Sequence, residues 1–365
     1  MIVITDAAGF IGSRMVQHLN ESGRDDLVLV DDFPVMHTSR DVTKMSPCLN
    51  VETFHETSLQ GEDMSIQGLR YVEKIPCDLF FDWAAQNIAH IDFILHFGVE
   101  TAGMQTDAAL LREYHLEFSQ RLWSLAAMNR IPLLFAATPT EAKWHWTGHE
   151  WIRRVSSSTD PAAQEGQSIS AVQSALIPQT DVAFRIAEAE RLRRQFDLWV
   201  LKQRVTPPLW AGFAMPEVYG PNESYLGDAA SSVLQLFRQW QQEGRMVIPV
   251  YEDSENSDRE PLMDRIFVKD VVTVFTWFMN HLPASGFYYL GTGYPRPLSA
   301  VAKAIFSALK LSSQVEYQII SPAETYLSQE KNPLQLNRIN RIGYKKNFTP
   351  LEKGVRLYVK NILNQ

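Results

Sequence analysis

Eight residues near the start of the chain, Thr5-Asp6-Ala7-Ala8-Gly9-Phe10-Ile11-Gly12, carry the clearest chemical signal. They follow a short apolar run, Ile2 to Thr5, and open a segment with apolar side chains at helical spacing, Ile11, Met15 and Leu19. A second apolar run, Leu27 to Val30, ends on Asp31-Asp32, and Asp31 stands 19 positions after Gly12. Strand, glycine turn, helix and strand-end acid together form the pattern that holds a dinucleotide. Gly9, followed by Phe10 and Ile11, lets backbone approach a pyrophosphate, and Gly12 lets the helix pack closely. Asp31, with Asp32 beside it, offers a carboxylate to a ribose diol. The positive end of the helix attracts phosphate.

Asp6 departs from this pattern, because it stands where the first glycine belongs. Aspartate tolerates unusual backbone angles better than most residues, so the turn itself survives the change. Its carboxylate, however, has the same sign of charge as a pyrophosphate. Two readings follow: a turn that still holds NAD or NADP weakly, with NAD favoured, or a fold of this type that has lost the cofactor.

The elements that position the turn are legible along the chain. Strand-like runs recur at Phe93 to Phe97 and Pro132 to Ala136, with a helical pattern from about Ala108 to Met128 between them. Strands alternating with helices predict an α/β fold, a doubly wound parallel sheet of Rossmann type. The segment 139–180 breaks the rhythm and reads as a long loop with a short helix. A charged helix over Ala187 to Lys202, a Gly291-Thr292-Gly293 turn and a C-terminal helix follow. The chain has 365 residues, 45% of them hydrophobic, which suits a sheet domain with a smaller appended lobe. A net charge of −8 argues against a general nucleic-acid binder. No apolar run reaches the length of a membrane span, and the opening residues show no secretory leader. Two cysteines, Cys48 and Cys77, cannot build a disulfide framework. These features predict a cytoplasmic protein.

Thr5 to Gly12 resembles the Thr-Gly-x-x-Gly-x-x-Gly of the extended short-chain dehydrogenase/reductases. Further similar stretches are Met1 to Phe33, Phe93 to Gly98, Phe196 to Trp199, Pro208 to Glu223, Phe267 to Val271, Ala284 to Gly293, and Gly343 to Glu352. Together they look most like the ADP-L-glycero-D-manno-heptose 6-epimerases, in the version found in the Bacteroidota. The resemblance implies a dinucleotide domain over 1–215 plus about 265–291 and a substrate lobe from about 216–264 and 292–336. Residues 337–365 then return to the core. It also places Phe97 and Gly98 on the cofactor side. Such enzymes hold NADP, oxidise a sugar carbon transiently and return the hydride to its other face. Their chemistry needs a Tyr as acid/base, a Lys four residues later and a Ser or Thr to hold the reacting oxygen.

Matched on the flanking motifs, the Ser/Thr position falls on Thr138, the Tyr position on Ala189 and the Lys position on Arg193. The sequence contains no tyrosine between Tyr114 and Tyr219, and no Tyr in it has Lys four residues later. Other positions differ as well. Glu217 replaces an Asn, and Tyr225, Leu226 and Asp228 replace His, Lys and Arg. Met263 replaces an Arg, Glu117 a helical Asn, and Val35 a basic residue near the 2′-phosphate. The resemblance therefore implies a non-catalytic relative of the epimerases, a scaffold or regulatory subunit with a protein partner or a second copy of itself, that does not bind ADP-heptose. The alternatives are an active epimerase or dehydratase with changed acid/base groups, and a sensor of NAD(P) occupancy.

Four features remain. His145 and His149, four apart with Glu150 beside them, would suit a metal on a helix, but Gly148 and the residue order argue for no metal site. Trp144, Trp146 and Trp151 lie in a region longer than the family's, and read as an apolar plug or a docking anchor. His96 reads as a structural strand-end histidine, and Arg191, Arg193 and Arg194 as a salt-bridged helix face.

Overall fold

The computed structural model describes residues 1–32, 65–98, 108–138, 143–146, 151–154, 181–223, 226, 230–251, 260, 262–320 and 339–363. The chain divides into two compact units, Met1–Phe135 with Ile177–Trp210, and Ala136–Leu176 with Ala211–Gln365.

In chain order the first elements are β1 (Ile2–Thr5), α1 (Phe10–Glu21), β2 (Leu27–Asp31), β3 (Glu73–Pro76), α2 (Phe80–Asn87) and β4 (Phe93–His96). Next come α3 (Ala108–Arg112), a π turn (Glu113–Glu117), α4 (Phe118–Met128), β5 (Leu133–Ala137), β6 (Lys143–Trp146), β7 (Trp151–Arg154), α5 (Asp181–Val200) and β8 (Trp210–Ala214). Then follow β9 (Glu217–Tyr219), α6 (Ser232–Glu243), β10 (Met246–Tyr251), β11 (Leu262–Met263), β12 (Arg265–Phe267), α7 (Val268–His281) and β13 (Gly286–Tyr289). The last are β14 (Arg296–Pro297), α8 (Leu298–Leu309), β15 (Val315–Ile320) and α9 (Leu351–Leu363).

Seven strands form one sheet in the order β13-β8-β5-β4-β1-β2-β3. The pairs β1–β2, β1–β4, β2–β3, β4–β5 and β8–β13 are all parallel. Strands β1, β2 and β4 are buried along their whole length, because a parallel sheet is covered on both faces and so reads as continuous apolar runs. This is the Rossmann-type architecture expected. The strand signals in the sequence differ from it in two places. Of the strands expected to return to the sheet after residue 265, only Gly286–Tyr289 does; Arg265–Phe267 pairs instead with Glu217–Tyr219 in a separate two-stranded ladder. Within 139–180, the described residues Lys143–Trp146 and Trp151–Arg154 are two antiparallel strands with Trp146 opposite Trp151 and His145 opposite Ile152, where a loop was expected; the rest of that segment, with the short helix expected there, lies outside the described residues. Bulky Trp and Ile residues in an alternating run favour extended backbone.

His96, at the end of β4, ties the first unit together. The Thr5 hydroxyl donates to the Gly98 carbonyl at 2.8 Å and so accepts from His96 Nδ1 at 2.7 Å. Nε2 is then left to accept from the Ser119 hydroxyl at 2.8 Å. The ring stacks on Phe118 and meets Phe196 edge-on. Burial lowers the His96 pKa to about 3, and His115 is likewise lowered to about 3 by burial and then by Arg193 and His96.

Both histidines therefore bind a proton more readily in the unfolded chain, whose pKa is about 6.5. Their stabilising effect is complete above that pH and is lost as pH falls from about 6.5 toward 3, by up to about 1.4 kcal/mol per pH unit for each. The buried Glu223 carboxyl, raised to about 7 by burial, acts in the opposite direction over part of this range. The difference between wild type and His96→Gln isolates the histidine. Urea denaturation at pH 7, 6 and 5 should show a shallower loss of stability in the variant; identical slopes would contradict the neutral, buried His96.

Candidate functional site

The β1–α1 turn is built on one close contact. A Cβ on Gly12 would lie 1.8 Å from the Asp6 carbonyl oxygen and 2.9 Å from Ala7 Cα, so only glycine permits α1 to approach the turn. Asp6 adopts a left-handed backbone with φ of 52°, a region that Asp enters more easily than most residues. The turn thus survives loss of its first glycine. The Asp6 carboxylate folds back over Gly9, the residue that precedes α1: a Cβ on Gly9 would meet Asp6 Oδ1 at 2.2 Å and Oδ2 at 2.4 Å. The space opened by Gly9 holds this chain's own carboxylate.

Asp31 is 3% exposed, and its oxygens face the backbone. Oδ2 accepts from Ala8 N–H and Oδ1 from Asp32 N–H, both at 2.8 Å. Burial and the neighbouring Asp78 raise the Asp32 pKa. Cys77 is pushed well up by burial and then by the field of Asp31, Asp32, Asp6 and Asp78. Phe97 is buried, and Gly98 has φ of 137°. Phe10 and Gly12 are buried and Ile11 is half-buried. The turn's geometry is that of a dinucleotide fold, while its local field is negative.

Ala189 on α5 is buried, and Arg193, one turn later, is half-buried and donates from Nε to the Ala189 carbonyl at 3.3 Å. Arg193 is therefore not part of a solvated face, whereas Arg191 does form the expected ion pair with Glu188. Thr138 follows β5 and is half-buried. Glu117 lies in the π turn, exposed, and pairs with Arg112 at 3.1 Å. In the same turn Tyr114 is pushed up to about 12 by burial and nearby acidic groups. His96, His115 and Tyr114 are thus all shifted away from the neutral range in which an acid/base group works.

The second unit holds a polar network that sequence reading missed. Glu217 accepts from Ser232 N–H at 2.8 Å, from the Ser232 hydroxyl at 2.6 Å and from Arg265 Nε at 2.6 Å. The Arg265 side chain is 2% exposed and also donates from Nη1 to the Arg296 carbonyl at 2.9 Å. A cavity of about 670 Å³ is lined by Met263, Arg265, Tyr289, Tyr294 and Arg296, among others. Its two arginines already pair with carboxylates, Arg265 with Glu217 and Arg296 with Glu352. Met263 is buried, and Leu226 packs on the apolar core beside it. Glu223, fully buried, accepts from Ser231 N–H at 2.7 Å and Gly220 N–H at 3.2 Å, so the motif around it is structural. Sequence reading singled out Glu217 as a replaced Asn but not Arg265, which lies 48 residues away.

Val35, Tyr225, Asp228, His149 and Glu150 lie outside the described residues, as do the side chains of Trp144, His145, Trp146 and Trp151. The backbone of His145 is in β6, so the helical spacing considered for a metal does not arise. Among the described residues no three His, Cys, Asp or Glu side chains are grouped to hold a metal ion, and no helix is long and apolar enough to cross a membrane.

Comparison with known proteins bears directly on the two units. No family model matches the chain. The ADP-L-glycero-D-manno-heptose-6-epimerase of Fusobacterium nucleatum is 26% identical over 373 residues, covering 100% of this chain and 98% of that protein. The enzyme of the same name from Nitratidesulfovibrio vulgaris is 26% identical over 366 residues, with 100% and 98% covered. The chain is thus similar to these epimerases over its whole length. Among solved structures, the Helicobacter pylori enzyme of that name matches with a TM-score of 0.61 at 18% identity, covering 99% of this chain and 96% of that one. The Bacillus anthracis dTDP-glucose 4,6-dehydratase, solved in complex with NAD, matches with a TM-score of 0.59 at 15% identity, covering 100% and 96%. The chain therefore shares its fold with these solved epimerase and dehydratase structures.

Arg265→Met should be strongly destabilising, by about 3–5 kcal/mol, because it leaves the Glu217 carboxylate buried without its cation. Glu217→Leu/Arg265→Met should recover most of that loss in urea denaturation. A single variant as stable as wild type would show that the pair is not the lock described.

Proposed function

We propose that this chain is a non-catalytic relative of the nucleotide-sugar epimerases, acting as a scaffold or regulatory subunit. The observation that carries the reading is the state of α5: Ala189 is buried where the resemblance puts the acid/base tyrosine, and Arg193 is bonded back to it where the lysine belongs. An arginine stays protonated to a pH above about 12 and cannot replace the lysine's tuning of a phenol. The described His and Tyr groups of the first unit that shift do so away from neutrality, so they do not supply a substitute. Loss of a positioned acid/base group alone typically lowers a rate 10²- to 10⁴-fold.

The cavity arginines support the same reading. A diphosphate is gripped by charge-assisted bonds from unpaired cations, and of the three cations lining this cavity Arg265 and Arg296 are engaged by internal carboxylates, Lys346 being the third. A scaffold needs the fold and its surfaces, and the matched segments are those that hold the fold: Asp270, for instance, accepts from Thr349 N–H at 2.7 Å and ties the Phe267–Val271 stretch to the C-terminal one. The partner is proposed to be another protein or a second copy of the chain, in the cytoplasm.

Incubation with ADP-heptose and either NAD or NADP, followed by product analysis, should give no epimerised sugar. Product at about 1 s⁻¹ or faster, the lower range of typical enzyme turnover, would overturn the non-catalytic reading. Native mass spectrometry of the chain purified from its own host should show it in a defined assembly; a monomer alone would count against the scaffold role.

A further inference from the structure

The chain's own chemistry suggests what has become of the phosphate site. We infer that Asp6 is an internal ligand: its carboxylate takes the place of a cofactor phosphate at the start of α1, so that the first unit folds complete without a dinucleotide. The inference rests on the resemblance used above for the cofactor side, but not on the state of the acid/base positions.

Three observations carry it. First, the Asp6 carboxylate lies in the space that Gly9 leaves by lacking a Cβ, with Oδ1 2.2 Å and Oδ2 2.4 Å from where that Cβ would be. In a glycine turn of this type the second glycine exists so that a pyrophosphate can come close to backbone. Here an anion is already there, covalently part of the chain. Second, α1 starts at Phe10 with no side-chain cap from Gly9 and no acidic residue in its first turn. The start of a helix carries partial positive charge and favours an anion, and the Asp6 carboxylate is the group placed to supply it. Third, Asp31, whose position suits a ribose, has both oxygens engaged by backbone N–H groups of Ala8 and Asp32. It braces the same turn from beneath.

Phosphate and carboxylate cannot share this place. A dinucleotide would have to displace the Asp6 side chain and then sit in a field made negative by Asp6, Asp31, Asp32 and Asp78, the field that raises Cys77. The residues present therefore do not fit the cofactor, although the backbone does. Space and charge make separate contributions. Asp6→Asn keeps the volume and removes the charge, whereas Asp6→Gly removes both and also suits a backbone with positive φ.

Calorimetric titration of the full chain with NAD, NADP and ADP tests this. Wild type should show no binding in the micromolar range. Asp6→Gly should bind NAD or ADP at least about tenfold more tightly than wild type, and Asp6→Asn should fall between them. In the absence of nucleotide, Asp6→Asn should melt lower than wild type by about 1–2 °C, as expected for losing an anion at a helix start in a chain of this size. Micromolar binding of NAD or NADP by wild type would overturn the inference while leaving the non-catalytic reading intact. So would an Asp6→Gly protein that gains no affinity, or an Asp6→Asn protein that melts at or above wild type. Epimerase turnover by wild type would sink the proposed function and this inference together, because the hydride must pass through a bound dinucleotide, whereas cofactor binding without turnover would sink this inference alone.

Discussion

The contact between Gly12 and the backbone of Asp6 and Ala7 constrains everything around it. With a Cβ only 1.8 Å from a carbonyl oxygen, α1 could not reach β1, and the turn between them could not form. Once it forms, Thr5 at the end of β1 is fixed beside His96, and His96 beside Ser119 on α4. The backbone of the first unit is thus set by geometry that a dinucleotide fold requires, whether or not the fold still holds one.

Those side chains share a physical theme. Charges that would face a ligand are turned on other groups of the same chain. Asp31 bonds the turn beneath it, Arg265 bonds Glu217, Arg296 bonds Glu352, and Arg193 bonds the carbonyl of its own helix. A buried ion pair is costly to desolvate and strongly destabilising to break. The Glu217–Arg265 pair therefore makes the second unit's polar interior a part of its folding. Glu223 and Asp264 belong to the same pattern: Asp264 accepts from Gly293 N–H at 2.7 Å and Tyr289 hydroxyl at 3.0 Å, holding the Gly291–Gly293 turn.

Much of the first unit was legible in the sequence, because its strands are continuous apolar runs and its helices carry regular apolar spacing. Ile2–Thr5, Leu27–Asp31 and Phe93–His96 lie where those runs predict them. The short strand Glu73–Pro76 was not legible; its residues are mostly polar, and only its pairing with β2 at the sheet edge holds it extended. The strands Lys143–Trp146 and Trp151–Arg154 were hidden because the residues that follow them, from Ser156 on, are polar and serine-rich and read as loop. At the site, types and positions were readable but directions were not. Asp6 was recognisable as a misplaced acid, yet only the structure shows its carboxylate over Gly9. Glu217 could be read as a lost amide, whereas its partner Arg265 lies 48 residues away and becomes a neighbour only through the β9–β12 ladder.

The proposal that this chain does not move a hydride is open to a direct test. Its most direct test follows the near-ultraviolet absorbance of reduced nicotinamide in a rapid-mixing experiment, with the wild-type chain, NAD or NADP in excess and ADP-heptose added last. The account predicts a flat trace at every protein concentration. A transient rise in reduced cofactor that scales with the amount of protein would contradict it.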